Sequence, residues 1–343
     1  MEKGQDNNNF LEVIARLINV IIVLIIIIIL LIVINITGWP KETVVKEPED
    51  VSVVEPKTEQ PTENNFWKAP DTSEINNETD AGQIKYGRAI ICNTSYYFGP
   101  EGKIAKLGNG MNCQNCHLDA GTKTFGNNYA SVASTYPKFR ERSGTKETIF
   151  KRVSDCFERS LNGKAPDSTG KEMLAILAYI KWLGRHVAKG EKPEGSGIKQ
   201  LAYLDRAADP EKGKIIYKEK CLRCHNADGQ GQINNDEGLY KYPPLWGKHS
   251  YNIGAGLYRL SRLAGYVKYN MPQGATFENP QLSDEEAWDV AAYVNSRDRP
   301  AMDLRRDWPN IAGKPIDHPF GPYADKFSEQ QHKYGPYVAM SKK

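Results

Sequence analysis

Cys113-Gln114-Asn115-Cys116-His117 decides the fold, together with a second copy of the same pattern, Cys221-Leu222-Arg223-Cys224-His225. Both read C-x-x-C-H. Two thiols three positions apart can form thioethers to the two vinyl groups of one haem, and the adjacent histidine then reaches the iron as proximal ligand. Structural zinc would want two C-x-x-C pairs close enough to share one tetrahedron, with no obligatory histidine after each. A thioredoxin-like dithiol would want a βαβ setting and has no use for the histidine. Two complete pentapeptides 108 residues apart therefore predict two covalently bound haem c groups, held by Cys113 and Cys116 and by Cys221 and Cys224, with His117 and His225 on the irons.

Working outward, the neighbouring sequence supplies the helices that such a domain needs. Lys212 to Lys220 reads as a short helix that follows Pro210 and delivers the chain into Cys221. Ser283 and Glu286 form a capping box, and a helix runs on through Val290 to Val294. In the first half, Met173, Leu174, Ile176, Leu177, Ile180 and Leu183 recur at helical spacing between Lys171 and Arg185. The predicted fold is mostly α: two cytochrome c-type haem domains in tandem, 81–198 and 199–298, followed by a C-terminal extension, 299–343, packed on them. GEKPEGSG at 190–197 punctuates the junction.

The second haem has one evident distal ligand. Met271, in Tyr269-Asn270-Met271-Pro272, is the only methionine between His225 and the closing helix. A His/Met pair raises the haem potential, which suits electron transfer. For the first haem, the candidates after His117 are Cys156, Met173 and His186. Met173 lies on the apolar side of its helix, and His186 follows that helix. Cys156 sits in the amphipathic segment Thr145 to Leu161, where a packed thiol is the ordinary role. Its neighbours distinguish it: Arg152, Cys156 and Ser160 stand at i, i+4 and i+8, one stripe on a helix. A guanidinium beside a thiol favours thiolate, the metal-binding form. The same stripe would hold an anionic substrate next to the iron. Cys92 carries no reading beyond a packed free thiol.

The chain has 343 residues and a formal net charge of +3. That charge is uneven: −1 over residues 1–39, −7 over 40–80 and +11 over the remaining 263. A moderately basic body attracts anions, and nothing in the balance calls for nucleic acid. Leu17 to Ile36 is apolar except for Asn19 and Asn35. At about 1.5 Å per residue, twenty residues cover about 30 Å, the hydrocarbon thickness of a bilayer. The run is longer than a signal-peptide core and lacks a small-residue cleavage site. A short cytoplasmic N-terminus (1–16), a single transmembrane anchor (17–37) and an acidic flexible linker (38–80) are expected. Haem attachment takes place outside the cytoplasmic membrane, so the expected setting is the bacterial cytoplasmic membrane, N-terminus in. The haem domains then lie in the periplasm or on the outer face.

Longer segments carry a family resemblance. YPKFRERSGTKETIFKRVSDCFERSLNGKAP (136–166) closely resembles thiosulfate dehydrogenases, the dihaem cytochromes c that couple thiosulfate into tetrathionate. GNGMNCQNCHLDAG (108–121) and PFGPYADKFSEQQHKYGP (319–336) look like the first haem-binding region and the C-terminal signature of that family. The resemblance covers roughly residues 82–336 and implies His117 and Cys156 as ligands of an active-site haem. It further implies that Arg142, Arg152 and Ser160 bind a sulfur oxyanion, and that His225 and Met271 ligate an electron-transfer haem. Some members carry lysine just before the methionine as an alternative ligand. Here that position is Asn270, which argues against such an exchange.

The implied partners are thiosulfate or tetrathionate, a soluble or membrane-bound redox partner, and the lipid bilayer through the N-terminal helix. Three rival functions share parts of this pattern. A plain electron-transfer cytochrome needs no arginine–cysteine–serine stripe. A dihaem peroxidase needs an acid–base residue beside an open iron, which does not stand out. A tetrathionate reductase would use the same residues in reverse.

Overall fold

The computed structural model describes residues 5–37, 65–234 and 239–341, in two compact units, Met1–Thr62 and Glu63–Lys343. In the first unit, Gln5–Thr37 is one helix, α1, and the apolar side chains from Leu17 to Ile32 are about half exposed all along it. Among the described residues no helix is long and apolar enough to cross a membrane, the continuously described side chains of α1 running only from Arg16 to Ile32. The expected N-terminus, anchor and linker fall partly outside the description, which omits residues 1–4 and 38–64 and, within α1, the side chains of 5–13, 15 and 33–37.

The second unit is built on six longer helices: α2 (Ala81–Cys92), α3 (Ile149–Arg159), α4 (Lys171–Leu183), α5 (Pro210–Lys220), α6 (Leu260–Asn270) and α7 (Asp284–Ser296). α2 packs on α4, and α5 packs on α7, so each half closes its N-terminal helix against its C-terminal one. Both crossings are made at a glycine. A Cβ on Gly87 would stand 1.9 Å from the carbonyl oxygen of Ala175, and one on Gly213 would stand 1.9 Å from that of Asp289. Backbone meets backbone there, so any side chain would force the helices apart.

Local chemistry sets the helix ends. Asp209 caps α5 by accepting from the amides of Glu211 and Lys212, with Pro210 at the first helical position. The Ser283–Glu286 box closes in both directions, at 3.0 and 2.7 Å. Two large apolar cores result, beside a small cluster of Tyr251, Ala255 and Tyr258. Ile84, Ile90, Phe157, Leu161, Ile176 and Leu183 fill the first, and Tyr217, Leu260, Leu263, Trp288, Tyr337 and Met340 fill the second. Family-independent features of sequence thus yield two helical haem-sized domains, joined by Tyr266 donating to the Asn115 carbonyl (2.9 Å) and Asn252 to that of Glu158 (2.8 Å).

Two local readings differ from the structure. The amphipathic segment expected from Thr145 starts as a strand: Lys138–Arg140 (β1) pairs antiparallel with Thr145–Glu147 (β2). The helix begins only at Ile149, because Thr148 caps it by accepting from the Lys151 amide. The acidic linker expected to reach 80 is already packed well before that. Ile75 is buried in the first core, and the Phe66 ring meets Phe125 and Phe277 at 5.3 and 5.1 Å. Three apolar side chains, Phe66, Trp67 and Ile75, interrupt the acidic composition there.

Candidate active site

A cavity of about 460 Å³ brings together Cys113, Cys116, His117, Arg142, Arg152, Cys156 and Ser160. Of the three distal candidates, Cys156 alone lines it. Met173 is fully buried in the first domain, and His186 sits on the surface, taking a hydrogen bond from Arg185.

His117 is held from one side. Its Nδ1 bonds the Asn127 carbonyl, and the Tyr129 ring stacks on the imidazole at 4.5 Å between centroids. A carbonyl at Nδ1 requires the proton there, leaving the Nε2 lone pair free as a metal ligand. Burial also pushes the His117 pKa down to about 4, so the ring stays neutral. His225 repeats the device, with Nδ1 2.9 Å from the Pro243 carbonyl. Met271 is the C-cap of α6. Its loop meets the His225 side through Tyr242, which neighbours Pro243 and donates to Gln273 Oε1 at 3.1 Å. Asn270 is fixed by donating to the Phe125 and Tyr266 carbonyls, at 3.2 and 2.9 Å.

The charge around the cavity is one-sided. Lys138, Arg140, Arg142, Arg152, Arg259 and Arg262 line it, and among the described residues no carboxylate does. Some of these cations have partners behind the wall. Arg142 pairs with the buried Asp155 at 2.9 Å, and Arg259 with the buried Asp317 at 2.6 Å. Glu147 stands 3.9 Å from Arg140. The Arg152 guanidinium is held above its ordinary pKa, first of all by the negative charge of Cys156. All three residues of the stripe line the cavity, with Ser160 as the C-cap of α3.

The C-terminal extension braces this wall. Asp307 grips Arg159 with two 2.7 Å bonds, and the Trp308 amide donates to the Arg142 carbonyl at 2.7 Å. Sequence reasoning missed Tyr129, Lys138, Arg140, Arg259, Arg262 and Trp308. Arg140 and Arg142 carried a signal in the basic KFRER stretch (138–142). For Arg259 and Arg262, 120 residues away in sequence, no local pattern pointed to the first haem.

Residues 104–188 match the SoxA/TsdA cytochrome c domain model, and residues 210–298 match the cytochrome c model. Over 246 residues the chain is 38% identical to the thiosulfate dehydrogenase of Psychrobacter arcticus, covering 71% of this chain and 72% of that one. The chain belongs to the thiosulfate dehydrogenase family. A second relative, the thiosulfate dehydrogenase of Allochromatium vinosum, is 41% identical over 198 residues, 57% of this chain and 72% of its own. Among solved structures, the thiosulfate dehydrogenase (TsdBA) of Marichromatium purpuratum in its "as isolated" form superposes with a TM-score of 0.64 at 30% identity. It covers 70% of this chain, which spans half the length of that one.

As a thiosulfate dehydrogenase, the protein carries two covalently bound haem c groups, one for each cytochrome c domain. The residues present fit them. Each half offers two thiols and a neutral imidazole with Nε2 free, and the first cavity adds apolar walls from Ile91, Phe157, Ile176 and Ile180.

Proposed function

We propose that this thiosulfate dehydrogenase joins two thiosulfate ions into tetrathionate in the cavity beside His117 and Cys156. In this reading His117 and Cys156 ligate the first haem iron, and His225 and Met271 the second. One S–S bond forms, each thiosulfate gives up one electron, and no proton moves. The two haem c groups supply two one-electron acceptors, ahead of an external redox partner. The division into domains at 198/199 assigns one acceptor to each half.

The chain's own task is electrostatic. Two dianions repel, and Arg152 and Arg142 offset that repulsion with charge-assisted, fork-shaped hydrogen bonds, while Ser160 adds a hydroxyl donor. Cys156 offers a soft thiolate to iron and to sulfur. The observation that carries the reading is the cavity lining: six cations, no carboxylate, and both His117 and Cys156. A plain electron-transfer cytochrome has no need of such a lining. Steady-state assay of the haem-loaded protein with thiosulfate and an artificial acceptor tests it. One tetrathionate per two electrons is expected, and acceptor reduction without tetrathionate would overturn the assignment.

We further propose that α1 anchors the enzyme in the cytoplasmic membrane with the haem domains outside. The exposed apolar side chains from Leu17 to Ile32 support this, as does the site of haem attachment. External protease on spheroplasts should digest the haem domains and spare an N-terminal tag. The reverse pattern would rule the orientation out.

A further inference from the structure

The predicted oxyanion residues, Arg142, Arg152 and Ser160, all belong to the first domain, yet the reaction must hold two dianions at once. Behind the wall, Arg142 is matched by Asp155. The opposite side of the cavity belongs to the second domain, where the start of α6 presents Arg259 and Arg262. Arg259 is consumed structurally: its Nε and Nη2 both donate to Asp317 Oδ1, at 2.8 and 2.6 Å. Arg262 has no such partner. Its side chain makes no hydrogen bond or ion pair with any described residue; Arg259, Arg152 and Arg140 act on it as like charges, and the buried Asp317 is the opposing charge nearby.

Its position is also unfavourable for the helix alone. A cation in the first turn opposes the helix dipole, which prefers negative charge there. Asp317 answers that field by pairing with Arg259 and accepting from the Ser261 amide at 3.1 Å, while Arg262 feels it without an ion pair. Arg262 thus lines a cavity rich in positive charge without an ion-pair partner among the described residues. Across from it, Arg140 has only the 3.9 Å approach of Glu147.

We infer that Arg262, reaching across from the second haem domain with Arg140 beside it, binds the second thiosulfate, while Arg152, Arg142 and Ser160 bind the first. The inference rests on the sulfur-coupling reading above and assigns the two substrates to different domains. α6 carries Arg262 in its first turn and ends at Met271, so the second haem reports whether the helix survives a substitution.

The experiment compares wild type, Arg262→Leu and Arg262→Lys as haem-loaded enzymes over a wide thiosulfate range, with tetrathionate quantified. Arg262→Leu should raise the half-saturating thiosulfate concentration by about tenfold to a hundredfold, the loss expected for one charge-assisted contact. The rate at saturation should fall much less, and Arg262→Lys should recover part of the affinity because it restores charge without the fork. An unchanged half-saturation in Arg262→Leu, or a loss confined to the saturated rate, overturns the inference. So does a changed second-haem spectrum in Arg262→Lys with no affinity regained, because the residue then only supports the helix. If wild type itself makes no tetrathionate, the coupling reading fails first. If wild type does and both variants bind normally, this inference fails alone.

Discussion

Replacing Cys156 with alanine is expected to leave both haems covalently attached and to abolish tetrathionate formation. Attachment depends on Cys113 and Cys116 and on Cys221 and Cys224, none of which lies on α3. Alanine is the best helix former, so α3 keeps its backbone and its Thr148 cap. The loss falls on the chemistry. The thiolate is the proposed iron ligand, and it stands on the same cavity wall as Arg152. Removing one group that stabilises the reacting state costs about a hundredfold to a thousandfold in turnover, and a group that is also a ligand costs more. The absorption spectrum of the first haem should change and that of the second should not. Normal turnover, or an unaltered first-haem spectrum, would remove cysteine ligation from the mechanism.

Replacing Arg152 with leucine should weaken thiosulfate binding and slow turnover with little effect on folding. Each lost charge-assisted bond is worth about 1.5–3 kcal/mol, roughly tenfold to a hundredfold. Leucine at Arg142 should cost a similar factor and stability besides, because Asp155 is buried and loses one of its two partners. Stranding a buried acceptor costs about 1–3 kcal/mol, so the two variants separate substrate binding from support. Thermal melts of the haem-loaded proteins, run beside steady-state kinetics, should show a lower midpoint for Arg142→Leu only. Lysine at position 152 should rescue in part. If both leucine variants keep wild-type kinetics, the substrate site lies elsewhere and the electron-transfer reading becomes the better one.

The sequence by itself determined what short-range chemistry can determine. C-x-x-C-H is a local device, so both haem attachments were legible from five residues each. Pro210 and the Ser283–Glu286 capping box act within one turn, and they placed α5 and α7. The i, i+4, i+8 spacing of Arg152, Cys156 and Ser160 placed a thiolate and its cation on one face before any packing was known. That spacing singled out Cys156 over Met173 and His186, but it could not show which side chain faces the cavity containing His117. Tertiary structure decided that, and it also decided where charge accumulates. Arg262 and Arg259 reach the first haem's cavity because the docked domains bring α6 across from α3, and Asp317 then neutralises one arginine and leaves the other. The close helix crossings at Gly87 and Gly213 were equally silent in sequence. A glycine reads there as a break in helix propensity, and only the opposing backbone carbonyl, 1.9 Å from where a Cβ would be, explains why nothing larger fits.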